Sequence, residues 1–307
     1  MKALVLLLAF ITIALPSAAV VWLWMGKNSN KVEWQVKASI AAAISIFAFT
    51  AGTWALTSYY LRYALPPAFL AAAYLSYRKI QYRPIFVRMH EKGRIGFSIQ
   101  VVLLIAILAI DIFTIKGLFY SGDPIDLAFP LKNGRYYTLQ GGSSPFTNPF
   151  HRKDPAELYA IDIVKLNSIG NRAWGLFPSA PSRYAINGAT VFSPCAGRVV
   201  ESAGGLPDNK PGSVDRYNPA GNYIVIDCDG TNIWLAHLLS DSLLVKRGDT
   251  VRQGQPLAQV GNSGKSMEPH LHIHAVRSDA GEEKSEEAMP MVFEGRFLTI
   301  NSVYRTK

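Results

Sequence analysis

The chain has 307 residues, enough for one large domain or two modest ones, and 49% of them are hydrophobic. Its net charge of +9 would suit a nucleic-acid-binding protein, but residues 1–117 hold 12 Lys/Arg and 3 Asp/Glu, whereas residues 118–307 hold 19 of each. All the excess positive charge therefore lies in the apolar half. There it indicates membrane topology, and we expect no nucleic-acid partner.

Four apolar stretches within residues 1–116 are candidates for membrane spans. A helix needs about 20 apolar residues to cross a hydrocarbon core of roughly 30 Å. The candidates are 3–26 and 38–61, which carry no charge, a shorter stretch over 63–77 that contains two prolines, and 95–115. We expect an α-helical membrane region over 1–116 with three or four transmembrane helices, and we prefer four.

The first of these stretches has a second interpretation, because Ser17–Ala19 resembles the cleavage site of a signal peptide. The apolar run continues past that site to Met25 without a charge. This continuation favours an uncleaved span.

The loop Arg78–Arg94 decides the predicted orientation, since it contains six basic residues and one acid. The positive-inside rule places such a loop in the cytoplasm. The last span then leads outward, so everything after it lies on the periplasmic or extracellular side of the cytoplasmic membrane. With four spans the N-terminus lies outside as well, and with three it lies inside.

The composition changes after residue 116, where turn-forming clusters begin to separate short β-branched and aromatic runs. These strand-like runs are 158–164, 190–200, 222–228, 232–238, 256–261 and 270–276. No amphipathic helical pattern of comparable length accompanies them. We therefore predict an all-β antiparallel domain over 145–307, with a C-terminal extension, preceded by a lead-in over 117–144.

Both cysteines of the chain, Cys195 and Cys228, lie in this second half. An outside location permits a disulfide between them, and two buried free thiols are the alternative. The spacing alone does not decide between the two, because a disulfide requires Cα atoms about 4.4–6.8 Å apart.

The stretch EPHLHIHA (268–275) contains half of the six histidines of the chain. On a strand, alternate side chains share one face, so His270, His272 and His274 form a row while Leu271 and Ile273 turn into the core. Three imidazoles in alternation are hard to explain by packing, because each needs hydrogen-bond partners. Imidazole is a favoured zinc ligand, and the pattern indicates a metal site.

Three further polar residues lie near predicted strands. His151 occurs in NPFHRKD, Asp162 in LYAIDI and His237 in WLAHL. Each of them taken alone could be an exposed polar residue or one satisfied within the fold.

Taken in order, the motifs resemble the lysostaphin-type zinc endopeptidases, also called the LytM or DD-endopeptidase-like group. The matching stretches are H…YAID, VFSPCAGRVV, GNYIVI, LAHL, KRGDTVRQGQPLAQVGNSG and PHLH. The resemblance covers about residues 145–276 and leaves out the membrane half. It implies a sandwich-like fold of the duplicated hybrid type.

The resemblance also implies roles for individual residues. His151, Asp162 and His272 resemble the metal ligands for one zinc ion, and His237 and His270 resemble the catalytic pair. The common family spacing is H-x-x-x-D, whereas His151 and Asp162 are eleven positions apart. Asp154 is a nearer alternative, but the YAIDI stretch favours Asp162. His274 stands where the family commonly has an acid, so its role is open.

The expected function is a membrane-anchored zinc metalloendopeptidase that hydrolyses peptide bonds of peptidoglycan outside the cytoplasmic membrane. Its partners would be peptidoglycan or another peptide substrate and the lipid bilayer, and a regulatory membrane partner is left open. Two alternatives are a non-catalytic cell-wall-binding or regulatory relative and a multispan sensor or transporter with an accessory outer domain.

Overall fold

A computed structural model describes residues 2–278 and 286–306 of the chain. The chain divides into two compact units, one formed by Leu4–Ile115 and the other containing Lys116–Lys307. The first unit is helical and the second is rich in β-strands. The helical and antiparallel β-rich halves predicted from the sequence are therefore both present.

Five α-helices build the first unit. They are α1 (Lys2–Ala9), α2 (Leu15–Met25), α3 (Lys31–Ala51), α4 (Leu65–Ile80) and α5 (Glu91–Lys116). A π-helical turn, Phe10–Ala14, joins α1 to α2 directly before Pro16. Proline lacks an N–H and its ring clashes with the preceding helical turn, and a π turn is one way for a helix to continue through it.

Three stretches are long and apolar enough to cross a membrane among residues 2–278 and 286–306. They are Lys2–Met25, Lys31–Ala51 and Glu91–Lys116. The second differs from the predicted span over 38–61, because α3 ends at Gly52, whose N–H donates to the Ala48 carbonyl. A Cβ at Gly52 would collide with that carbonyl oxygen, a contact that apolar composition cannot reveal.

Helix α4 is shorter than a complete span and returns the chain to the end of the unit at which α3 begins. The Lys31 N–H donates to the Pro84 carbonyl over 3.0 Å, and the Val32 N–H donates to the Ile85 carbonyl over 3.1 Å. Lys79 Nζ donates to the Trp24 carbonyl over 2.7 Å. The start of α3 and the ends of α2 and α4 therefore lie together.

The described residues of the second unit contain fourteen strands: β1 (Ile125–Leu127), β2 (Gly134–Gln140), β3 (Ile161–Lys165), β4 (Thr190–Phe192), β5 (Gly197–Ala203), β6 (Asn222–Cys228), β7 (Thr231–Leu238), β8 (Thr250–Val251), β9 (Pro256–Gln259), β10 (Leu271–Ser278), β11 (Glu286–Met289), β12 (Met291–Phe293), β13 (Arg296–Phe297) and β14 (Val303–Thr306). Each of the six predicted runs contains strand residues. The run over 190–200 divides into β4 and β5, which belong to different sheets.

The main sheet has nine strands in the order β14-β2-β3-β10-β7-β6-β5-β8, and β11 also pairs with β10. Its neighbouring strands are antiparallel, as predicted. A second sheet, β1-β12-β13, contains the parallel pair β1 and β12, and β4 pairs with β9 in a third. Strands β1 and β2 lie within the predicted lead-in over 117–144.

Strand β10 lies in the middle of the main sheet and contributes to the apolar core of this unit. Leu271 and Ile273 are fully buried in the largest apolar cluster, as the alternation in EPHLHIHA predicts. Cys195 and Cys228 form a disulfide with a Cα–Cα distance of 6.2 Å. The sulfur atoms thus link the segment before β5 to the end of β6 at the edge of the core.

Candidate active site

Neighbouring central strands bring His272 and Asp162 together. His272 of β10 pairs with Asp162 of β3 in the antiparallel register. Its Nδ1 atom lies 3.1 Å from Asp162 Oδ1, and both residues are buried. Since Leu271 and Ile273 face the apolar core, the alternation of the strand places His272 on the opposite, polar face.

His151 approaches the same carboxylate from a loop that precedes β3. Its Nε2 atom lies 3.4 Å from Asp162 Oδ1, while its Nδ1 lies 2.7 Å from Asn148 Oδ1. Asn148 is itself held by donating from Nδ2 to the Ala160 carbonyl over 3.0 Å. An amide oxygen only accepts, so Nδ1 carries a proton and Nε2 is the atom that faces Asp162. Asn148 was not among the site residues predicted from the sequence.

The donor atoms of His151, Asp162 and His272 all lie within 4.8 Å of one another. Zinc binds imidazole nitrogen and carboxylate oxygen at about 2.0–2.2 Å with tetrahedral angles, which puts neighbouring donor atoms about 3.3 Å apart. The separations of 3.1 and 3.4 Å from Asp162 Oδ1 are close to that value. Two imidazoles and one carboxylate with this spacing fit a zinc ion.

Asp154, the nearer alternative to Asp162, points elsewhere. It is exposed and caps the short 3₁₀ turn Pro155–Glu157 by accepting from the Ala156 N–H over 3.0 Å. Asp162 is the carboxylate that faces the histidines.

His237 and His270 face each other beside this group, with ring centroids 4.8 Å apart. His237 Nδ1 donates to the Ser263 carbonyl over 2.9 Å, and His270 Nδ1 donates to the Glu268 carbonyl over 2.8 Å. Both backbone acceptors fix the proton on Nδ1 and leave Nε2 to face the site. His270 Nε2 lies 3.4 Å from Asp162 Oδ1.

The backbone of His237 has a φ of 61°, in the left-handed region that few residues other than glycine adopt. Its N–H donates to the Ala220 carbonyl and its carbonyl accepts from the Gly261 N–H, both over 3.1 Å. The register of β7 with β6 shifts at this point, and pairing resumes with Leu238 opposite Asn222. Such a kink at the end of a strand re-aims a side chain, and local strain of this kind is common at functional sites.

His274 and Glu157 lie on the outer side of His272. His274 Nδ1 is 2.9 Å from His272 Nε2, and Glu157 Oε1 is 3.8 Å from the same nitrogen. The His274 ring stacks on Trp234 with centroids 5.5 Å apart and an interplanar angle of 11°. The potential ligand atoms of His272, His274 and Glu157 also lie within 4.8 Å of one another.

The charges in the site shift the pKa values in opposite directions. Burial alone would raise the pKa of Asp162, but the adjacent His151 and His270 hold it well below its usual range. Burial lowers the pKa of both histidines, but the Asp162 carboxylate outweighs this and their pKa values are raised. Burial and the neighbouring histidines hold the pKa of His237 well below its ordinary value, so this ring stays neutral near pH 7.

The pKa of His274 is shifted in the same direction as that of His237. Burial and the nearby His272 and His151 rings hold the pKa of His274 well below its ordinary value. Its ring is therefore neutral near pH 7 and can accept a hydrogen bond at one of its nitrogens.

A buried ion pair supports the segment before β10. Arg172, which is only 1% exposed, donates from Nε to Glu268 Oε1 over 2.6 Å. The backbone carbonyl of Glu268 accepts the hydrogen bond from His270 Nδ1–H. Arg172 and Asn148 were not among the predicted site residues. The partner of Arg172 lies 96 positions away in the chain, and nothing in the local pattern marks that contact.

Residues 183–284 match the sequence profile of Peptidase family M23. That segment contains His237, His270, His272 and His274, whereas His151 and Asp162 precede it. The resemblance predicted from the motifs is thus confirmed.

Two curated proteins of Vibrio cholerae serotype O1 resemble the chain. Peptidoglycan DD-endopeptidase ShyB is 29% identical over 149 residues, which is 48% of this chain and 32% of the relative. Peptidoglycan DD-endopeptidase ShyA is 29% identical over 150 residues, with the same shares of 48% and 32%. The chain spans about a third of the length of these curated relatives.

Solved structures also show partial similarity. Lysostaphin aligns with a TM-score of 0.25 and 21% identity over 42% of this chain and 40% of its own. A zinc-containing peptidase from Vibrio cholerae aligns with a TM-score of 0.22 and 23% identity over 38% of this chain and 46% of its own.

Proposed function

We propose that this protein is a membrane-anchored zinc metalloendopeptidase that hydrolyses peptide bonds of peptidoglycan outside the cytoplasmic membrane. One observation carries the proposal. Donor atoms of His151, Asp162 and His272 converge within 4.8 Å, and the His237 and His270 rings face each other beside them. Three protein ligands with two further histidines match the requirements of a hydrolytic zinc site.

In this proposal His151 binds one zinc ion through Nε2, Asp162 through its carboxylate and His272 through Nδ1. A bound zinc ion supplies Lewis-acid polarisation of the scissile carbonyl and lowers the pKa of water toward neutrality. Two neutral imidazoles and one carboxylate leave a net charge of about +1 on the loaded site, which favours negative charge developing on the substrate.

His237 and His270 are the proposed catalytic pair. Each holds its Nδ1 proton on a backbone carbonyl, so each presents Nε2 to the space beside Asp162. One imidazole can accept the proton of the attacking water at Nε2, and the other, when it is protonated at Nε2, can donate a hydrogen bond to the oxygen of the cleaved carbonyl. We assign these two roles to the pair jointly.

The proposed substrate follows from the chemistry of the site and from the relatives. The chain resembles proteins named peptidoglycan DD-endopeptidase over 48% of its length. We therefore propose a peptide bond of peptidoglycan as the target, and a cross-link between two stem peptides is the first bond to test.

The membrane topology is part of the proposal. The hydrogen bonds from Lys31 and Val32 to residues 84 and 85 put the start of α3 and the basic loop at the same end of the helical unit. This supports four crossings, with Arg78–Arg94 in the cytoplasm and the N-terminus outside. The β-rich unit then lies outside, where a disulfide such as Cys195–Cys228 persists.

We also propose the finer division of the chain. Residues 1–116 form the membrane region, 117–144 the lead-in and 145–307 the peptidase domain with its C-terminal extension. We propose a sandwich-like fold of the duplicated hybrid type for this domain, and residues of the two small sheets share an apolar core with the nine-stranded sheet, which supports the sandwich.

Digestion of purified peptidoglycan sacculi tests the activity directly. The purified full chain in detergent, supplied with one equivalent of zinc, should release soluble fragments whose masses identify the bond cut. A chelator should stop the release, and added zinc should restore it. Zinc-loaded protein that releases no soluble fragments from the sacculi would contradict the proposal.

A further inference from the structure

His272 Nε2 and His274 Nδ1 lie 2.9 Å apart, which is a hydrogen-bond distance between two ring nitrogens. One of the two must carry the shared proton, and the other must present a lone pair. If His274 donates, His272 keeps its own proton on Nδ1, toward Asp162. If His272 donates, its Nδ1 is bare and presents a lone pair to Asp162 and its surroundings.

Only the second arrangement lets His272 bind a metal on the side of Asp162, because a metal ligand needs the lone pair of Nδ1. We propose that His274 is a positioning residue, which accepts a hydrogen bond from His272 Nε2–H and thereby keeps Nδ1 of His272 free for the metal. This inference rests on the proposed function, in which His272 is a zinc ligand. Hydrogen-bonded partners of this kind set the orientation and tautomer of metal-binding histidines.

The plane of the His274 ring is held by a ladder of aromatic side chains. His274 pairs with Trp234 of β7 in the strand register, and the two rings are stacked. Trp234 in turn stacks on Tyr223 of β6, with centroids 5.2 Å apart and an interplanar angle of 27°. The Tyr223 hydroxyl donates to Glu201 of β5. These contacts cross four adjacent strands and end at His274, beside the proposed metal ligand His272. The orientation of the accepting ring is therefore fixed without a bound metal.

Glu157 is the competing acceptor for the same proton. Its Oε1 lies 3.8 Å from His272 Nε2, beyond a hydrogen bond, and its side chain is 32% exposed. His274 is both closer and more deeply buried. The geometry therefore assigns the accepting role to His274.

Two substitutions at residue 274 separate the acceptor from the ring. His274→Phe keeps a ring on Trp234 but removes the acceptor nitrogen, while His274→Asn removes the ring but places an amide oxygen close to the position of Nδ1. Glu157→Ala is the matched control for the competing acceptor. For each full-length protein in detergent, zinc affinity is measured at one fixed pH by competition with a chromophoric chelator. The visible spectrum of the cobalt-substituted protein reports the coordination geometry.

We expect His274→Phe to weaken zinc binding roughly 10- to 100-fold and to alter the cobalt spectrum. His274→Asn and Glu157→Ala should bind zinc much as the unaltered protein does, with its spectrum. Circular dichroism and the unfolding midpoint establish that each variant is folded.

Three results would overturn the inference. They are unchanged zinc binding and spectrum in His274→Phe, equal losses in His274→Phe and His274→Asn, and a second zinc equivalent bound through His274 in the unaltered protein. If the unaltered protein itself binds no zinc, the proposed function fails first. If it binds zinc and the variants do not differ from it, only the role of His274 fails.

Discussion

His272 and Asp162 are direct cross-strand partners, although 110 positions separate them in the chain. The register brings His272 Nδ1 to 3.1 Å from Asp162 Oδ1 on the polar face of the central strands. His151 then approaches the same oxygen from a loop. The paired strands therefore fix the positions of two of the three proposed ligands. A metal site needs ligands that are placed this accurately.

Replacing Asp162 tests the ligand set against its nearest alternative in sequence. Asp162→Asn removes the negative charge and should reduce bound zinc to well below one equivalent, because two neutral histidines hold zinc poorly. Asp154→Asn changes an exposed capping residue and should retain one equivalent. Metal analysis of the two dialysed proteins measures the difference. Stoichiometric zinc in the Asp162 variant would disprove its assignment.

His237 should be needed for activity but not for zinc binding. His237→Asn is the best substitution, since asparagine tolerates the left-handed backbone found at this residue. Loss of a general acid–base group should lower the rate of peptidoglycan cleavage roughly 10²- to 10⁴-fold. Zinc content should stay at one equivalent. A variant that loses its zinc together with its activity would make His237 a ligand instead.

The disulfide should stabilise the β-rich unit. It closes a loop with a sequence separation of 33, and loops of this size contribute about 2–4 kcal/mol by restricting the unfolded chain. The double substitution Cys195→Ser with Cys228→Ser should therefore lower the unfolding midpoint of this unit. Reductant should lower the midpoint of the unaltered protein but not that of the variant. Equal midpoints for both proteins without reductant would contradict the expectation.

Single cysteines introduced on either side of the membrane test the topology. Both native cysteines are in the disulfide, so they give little background labelling with a maleimide. Tyr217→Cys, at a side chain 95% exposed in the β-rich unit, should react with a membrane-impermeant maleimide in spheroplasts. Tyr82→Cys, at a side chain 93% exposed in the basic loop, should react only after lysis. Labelling of residue 82 before lysis would reverse the orientation.

Some elements could be predicted closely from local sequence. The run 222–228 coincides with β6, and the alternation in EPHLHIHA correctly places Leu271 and Ile273 in the core. These predictions succeed because strand periodicity is a property of adjacent residues. The span over 38–61 was placed too far along the chain, because α3 starts at Lys31 and ends where Gly52 packs against the Ala48 carbonyl. Hydropathy does not register that contact.

By itself, the sequence determined which chemical groups are available, and that an apolar helical half precedes a β-rich half. It also determined that three histidines share one face of a strand. Only the tertiary structure decided that Asp162 and not Asp154 faces them, that Asn148 orients His151, and that His274 contacts His272. Strand pairing is a non-local choice that depends on the packing of the whole sheet, so distances between groups far apart in the chain cannot be read from local pattern.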